Sequence, residues 1–163
     1  MAQKLNPGEI FPEITLHVVG GDEIQLPGDL GSPMTIVLFF EAMVTLLLPV
    51  LAGFEERRAA FREEGVSIIA ASVDSEEDLK AIAENTGFPV GWGVSREEGD
   101  AIGAWWEPRR DHIQPSEFLI SRSGKLMMSA YSNSPIGRMD PGETLTLIKY
   151  LNQQRANAKQ DNA

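Results

Sequence analysis

Apolar residues fall along this chain in blocks of two periods, and the order of the blocks predicts an architecture. Thr35 to Phe40 is an unbroken run of β-branched and large apolar residues, and Val66 to Val73 is a second. Runs of this kind are strands buried on both faces of a parallel sheet. Between them Leu47, Leu48, Leu51, Phe54 and Phe61 recur at helical spacing, Glu55, Glu56, Arg57, Arg58, Arg62, Glu63 and Glu64 fill the opposite face, and Gly65 ends the segment. One long helix crossing between two parallel strands is predicted, which makes the domain α/β. Ligands of open α/β sheets collect outside the carboxyl ends of the strands. Function is therefore expected where the first strand hands over to the helix, at Phe40-Glu41-Ala42-Met43-Val44-Thr45.

Shorter blocks flank this unit. Ile14 to Val19 and Glu23 to Leu26 surround Gly20-Gly21 and predict a hairpin. Ser75 with Glu76, Glu77 and Asp78 is a helix start, and a short helix to Asn85 follows. Gly87 to Val94 predicts a short strand between glycine bends, and Ser95 to Gly103 another short helix. Trp105 to His112 has no period and is expected to be a loop. Phe118 to Ser121 and Leu126 to Tyr131, joined through Gly124, predict a second hairpin. Asp140-Pro141-Gly142-Glu143 opens a last helix whose apolar face is Leu145, Ile148 and Leu151, with Leu147 and Tyr150 beside it. The organisation expected is a single domain over residues 1–152 and a frayed tail over 153–163, which lacks an apolar anchor.

Charge and composition narrow the chemistry. A formal charge of -10 opposes nucleic-acid backbones and anionic membrane surfaces, so neither is an expected partner. From Met34 to Ala52 the only charge is Glu41, which costs about 2.5 to 3.5 kcal/mol at the centre of a membrane span; strand plus helix accounts for the stretch better. No apolar signal segment follows Met1, and a cytoplasmic location is expected. The chain contains no cysteine, which excludes disulfides, thiolate catalysis and thiolate metal sites, and its two histidines make a metal site an unpromising reading. No phosphate loop or dinucleotide fingerprint is present, and no cofactor is expected.

Local motifs then carry a family resemblance. Pro115-Ser116-Glu117-Phe118-Leu119-Ile120-Ser121-Arg122-Ser123-Gly124-Lys125 looks like the P-x-x-F-L-I-D-x-x-G-K stretch of peroxiredoxins and thiol-disulfide reductases. Gly65 to Ser75 is similar to their G-V-x-V-V-A-V-S-V-D-S run, and Asn6 to Leu16 resembles their usual opening. Tyr131 to Arg138 looks like the Y-S-x-x-x-I-G-R segment of the AhpC/TSA branch. The resemblance, which spans about residues 6 to 152, implies a thioredoxin-like fold: a mixed central sheet flanked by helices, with an N-terminal β-hairpin extension. At the decisive place the chain departs from the pattern. The peroxidatic cysteine of the family falls on Val44 or Thr45, and a C-x-x-C aligned on Pro49 falls on Glu41 to Val44, so every register lacks the thiol. The resemblance further implies that the Gln114-Pro115 bond is cis with its ring against residues 41 to 45, and the placing of the cleft at Glu41 leans on that bond.

The leading expectation is accordingly a peroxiredoxin-like protein without thiol redox activity, which keeps the cleft for a small apolar or aromatic ligand or for a protein partner. Phe40, Met43, Val44, Trp105, Trp106, Pro115 and Arg138 are the candidate binding residues. The rival is a non-redox acid/base enzyme using Glu41, with Thr45 and His112 as further catalytic candidates and His112 or Arg138 as partner. A third reading is a homodimeric scaffold joined through the tryptophan loop. Plainer roles stand beside each: Glu41 as an exposed helix-capping acid, Thr45 as structural filling, His112 and the Arg109-Arg110 pair as surface residues, and one tryptophan in the core with the other half-exposed.

Overall fold

The computed structural model describes residues 2–42 and 48–161; Met43, Val44 and Thr45 of the candidate set lie outside the described residues. Its frame is a seven-stranded sheet in the order β2-β1-β5-β4-β3-β8-β9. The strands are β1 (Ile14–Val18), β2 (Glu23–Leu26), β3 (Met34–Phe40), β4 (Val66–Ser72), β5 (Val90–Trp92), β8 (Ser116–Ser121) and β9 (Leu126–Tyr131). β3 lies parallel to β4, which lies parallel to β5, while β1, β2, β8 and β9 pair antiparallel, so the sheet is mixed. All seven residues of β3 are buried, as an unbroken apolar run at the sheet centre requires.

Both faces of that sheet are covered. Val37, Phe39, Ile69, Ala71, Phe118 and Ile120 pack with Phe11, Leu16, Ile102 and Ile113 on one side. On the other, Ile36, Leu38, Phe40, Ile68, Ala70 and Leu119 meet Phe54, Phe61, Leu79 and Ile148. The helices are α1 (Leu48–Glu56), α2 (Arg58–Glu63), α3 (Glu76–Glu84), α4 (Arg96–Ala101) and α5 (Pro141–Asp161). Their starts follow the sequence: Ser75 Oγ accepts from Asp78 N at 3.2 Å, Ser95 and Glu98 form a capping box, and Asp140 Oδ2 accepts from Glu143 N at 2.8 Å.

Four features differ from the sequence expectation. The single long helix is broken at Arg57, where the Gly53 carbonyl, the usual partner of the Arg57 N–H, accepts the Arg57 side chain at 3.2 Å. The expected tryptophan loop is a two-stranded ribbon of β6 (Trp106–Glu107) and β7 (His112–Ile113), whose turn bends through Asp111 at φ 51°. Residues 153–161 continue α5 as helix rather than fraying, with exposed side chains of good helix formers such as Ala, Gln, Arg and Lys and a Gln153–Asn157 bond of 3.1 Å. Finally, Gln114-Pro115 is trans; among the described residues the cis bond is Leu26-Pro27. The trans bond keeps the chain extended between two ladders, since Gln114 N donates to the Trp105 carbonyl at 2.8 Å and the Pro115 carbonyl accepts from Ser132 N at 3.0 Å.

A strap from the first residues packs against the segment leading into the ribbon and against the end of β9. Lys4 Nζ donates to the Gly103 carbonyl and sits 3.8 Å from the Trp105 ring centroid, while Leu5 N donates to Tyr131 Oη at 3.0 Å. Gly103, at φ 78°, has no room for a side chain, because a Cβ there would stand 2.3 Å from the Gln3 carbonyl oxygen.

Phe118 is fully buried and meets Phe11, Phe39 and Tyr131 edge-on at centroid separations of 5.2, 6.0 and 5.5 Å. Its truncation to alanine is expected to cost about 3 to 5 kcal/mol in urea unfolding, whereas Tyr150→Ala on the exposed face of α5 should stay within about 0.5 kcal/mol. Equal costs would mean that the two aromatics do not differ in burial as described.

Candidate functional site

The carboxyl ends of the parallel strands turn the chain from apolar to charged within one or two residues. β3 ends at Phe40 and is followed by Glu41; β4 ends at Ser72 and is followed by Val73 and Asp74. Each acid is buried, Glu41 at 1% exposure and Asp74 at 8%, and each needs partners supplied by other elements. For Glu41 the partner is Arg110, whose Nη1 donates to Oε1 from the turn of the β6–β7 ribbon. For Asp74, Oδ2 accepts from Ser72 Oγ and, at 3.0 Å, from Ala42 N, while Oδ1 lies 3.4 Å from His112 Nε2.

Two hydrogen bonds bind this network into one unit. His112 Nδ1 donates to the Arg110 carbonyl at 2.7 Å, so its Nε2 bonds to Asp74 only when the ring carries both protons. Arg110 is further held by Glu107 Oε2, which accepts from its backbone N at 2.9 Å and from Nε at 3.4 Å. Glu41 is thus a buried, paired acid and not an exposed one. His112 reaches Asp74 and not Glu41, and the basic residue that does reach Glu41 is Arg110.

Beside the network opens a cleft of about 410 Å³, lined by Val73, Asp74, Val94, Arg96, Trp106, Arg110, Asp111 and His112. Arg96 lies over the Trp106 ring at 4.5 Å and pairs with Asp100 and Asp111 at 3.3 and 3.4 Å. Trp106 sits so close to α4 that a Cβ on Gly99 would stand 2.3 Å from its ring. The other candidate residues are dispersed. Trp105 is half-buried under Lys4, Phe40 is core on the helical face of α1 and α5, and Pro115 is buried between the two ladders. With the bond before Pro115 trans, the resemblance no longer anchors the cleft at Glu41; the Arg110 and Asp74 contacts locate it instead. Among the described residues no group of three or more His, Asp or Glu could hold a metal.

A third buried acid lies on the opposite face. Glu117, across from Leu38 in the β3–β8 register and 2% exposed, accepts from Met139 N at 3.0 Å through Oε1. Burial pushes its carboxyl up to about 7, opposed by that bond and by the nearby Arg138 charge. Arg138 therefore belongs with Glu117. Asp74 and Glu117 were missed by sequence reasoning; the available signal was an acid adjoining an apolar strand, as with Glu41. An apolar groove of about 250 Å³ between α1 and α3, lined by Leu51, Ala52, Ala81, Ile82, Asn85 and Thr86, carries no ionisable side chain.

With this geometry in view, the chain can be set against known proteins. The sequence profile of the AhpC/TSA family matches residues 7–129. The chain belongs to the AhpC/TSA family. Peroxiredoxin Bcp of Escherichia coli K12 is 23% identical over 129 residues, covering 75% of this chain and 83% of its own length. Two solved structures share the fold of this AhpC/TSA member. Mycobacterium tuberculosis AhpC superposes with a TM-score of 0.76 at 17% identity, over 91% of this chain and 94% of its own. Reduced Plasmodium vivax 2-Cys peroxiredoxin gives 0.77 at 17%, over 92% and 98%. The fold is thioredoxin-like, and this member of the AhpC/TSA family lacks the catalytic cysteines. Among the described residues no helix is long and apolar enough to cross a membrane.

Glu117 gives a signed pH dependence. Its native carboxyl keeps a proton between the ordinary value of 4.5 and about 7, where the unfolded chain releases it. The stabilisation is complete below pH 4.5 and is lost as pH rises through 7, roughly 3 kcal/mol in all. Urea midpoints at pH 5 and 8 should therefore differ more for the wild type than for Glu117→Gln. Identical pH profiles for the two chains would remove Glu117 from this role.

Proposed function

We propose that this chain is a peroxiredoxin-like binding protein without thiol redox chemistry, whose cleft at the carboxyl ends of β3 and β4 takes a small ligand. The observation that carries the reading is a family fold retained without any cysteine, with buried, mutually paired charges at the strand ends. The cleft is lined by apolar Val73, Val94 and the Trp106 ring and by charged or polar Asp74, Arg96, Arg110, Asp111 and His112. That combination suits a ligand with an apolar or aromatic body and a polar end. A cytoplasmic setting is part of the same reading.

The acid/base alternative is less well supported. A general base needs a free nitrogen or oxygen toward its substrate. Nδ1 of His112 is held by the Arg110 carbonyl, and Glu41, with one carboxylate oxygen held by Arg110, is 1% exposed and does not line the cleft. Homodimerisation through the tryptophan loop is likewise less favoured, because Lys4 of the same chain covers Trp105.

Two measurements test the proposal. Incubation with hydroperoxide and a dithiol donor should give no consumption above buffer, and clear turnover would overturn it. Amide shifts induced by a set of small aromatic fragments should cluster on Val73, Val94, Trp106 and His112. Fragments that bind only elsewhere, or none that bind, would count equally against it.

A further inference from the structure

We propose that Glu41 and Gln114 form a cation subsite at the side of the cleft, which Arg110 fills only in part by holding Glu41 Oε1 in the free chain, and whose outside occupant is a small molecule ending in a guanidinium or primary ammonium group. This rests on the binding reading and specifies the polar end of the ligand.

Two unmet acceptors motivate it. Glu41 Oε2 and Gln114 Oε1 are buried without a hydrogen-bond partner, on residues 1% and 5% exposed. Continuing the β3–β8 register past Phe39 and Ser116 sets Glu41 across from Gln114, so the two acceptors belong to neighbouring backbone positions. Buried acceptors without donors are destabilising, and a group rich in N–H donors would complete the pair. Because one acceptor is a carboxylate, that group is best cationic. A bare metal ion fits poorly, since no third acidic or histidine ligand joins the pair among the described residues.

Arg110 has the properties of a removable occupant. Its side chain is 45% exposed, whereas that of Glu41 is 1% exposed and fixed at the end of the central strand. When the guanidinium swings out, the Arg110 backbone N still donates to Glu107, so the turn of the ribbon keeps that contact. The entering cation then replaces Arg110 on Glu41, and the buried charge is never left alone. The cleft wall next to Arg110 already carries a cation of this class, the Arg96 guanidinium over the Trp106 ring.

The proposal predicts competition between Arg110 and the ligand for one site. Calorimetric titration with methylguanidinium chloride at constant ionic strength should show Arg110→Ala binding at least tenfold more tightly than wild type, with one site per chain. The double variant Arg110→Ala/Glu41→Gln should lose that binding, and tetramethylammonium, which has no N–H donor, should not bind any of the chains. If the alanine variant does not fold, Arg110→Met, which keeps most of the aliphatic stem, should show the same gain. Folding of either variant only in millimolar methylguanidinium would support the subsite as well; failure of both to fold even then would count against it. Equal affinity of Arg110→Ala and wild type, or undiminished affinity of the double variant, overturns the subsite. Aromatic-fragment shifts in the cleft under that outcome would leave the binding reading standing and remove only its cationic arm.

Discussion

A charge is costly along a central strand buried on both faces, so the first charged residue beyond it must find its partner at once. In this chain β3 runs seven buried residues to Phe40 and delivers Glu41 to the carboxyl end of the sheet at 1% exposure. A carboxylate so placed is tolerable only against an opposite charge with directed hydrogen bonds. The partner comes from Arg110, 69 positions later, presented by a ribbon whose turn is shaped by Asp111 and whose arginine is oriented by Glu107. The ribbon, its acid, its tight turn and the neighbouring His112–Asp74 contact all follow from the need to meet one buried charge.

How far the amino-acid pattern reveals this differs between elements. β3, β4, the two hairpins and the starts of α3, α4 and α5 were legible because each depends on short-range signals: unbroken apolar runs, glycine turns and capping side chains. The break at Arg57 was not, because Leu51, Phe54 and Phe61 keep their helical spacing across it. The ribbon was read as a loop since two residues per strand are too few to show a period. Glu41 was singled out by its isolation among apolar residues, yet its partner could not be named: an arginine pair in a polar stretch looks the same whether solvated or docked. Asp74 and Glu117 were lost to the same ambiguity, because an acid at a strand end reads as the start of a turn.

The trans bond before Pro115 shows where likeness to a family stops being a guide to geometry. The AhpC/TSA fold is retained at 17% identity to its structural neighbours, but fold-level likeness does not transmit the detail of a site. The contacts that organise this cleft are made by side chains of this chain's own choosing. On the other face Glu117 and Arg138 form a separate electrostatic arrangement, insulated from the cleft by the apolar sheet itself.

The strap carries a consequence for the order in which the molecule assembles. Lys4 meets Gly103 across 99 positions and Leu5 meets Tyr131 across 126, so both contacts close loops spanning most of the chain. Loop closure of that span must await the placement of nearly everything between. The strap meets Trp105, the residue before the ribbon, and Tyr131, the last residue of β9, so loosening of these first residues would be felt at both places together.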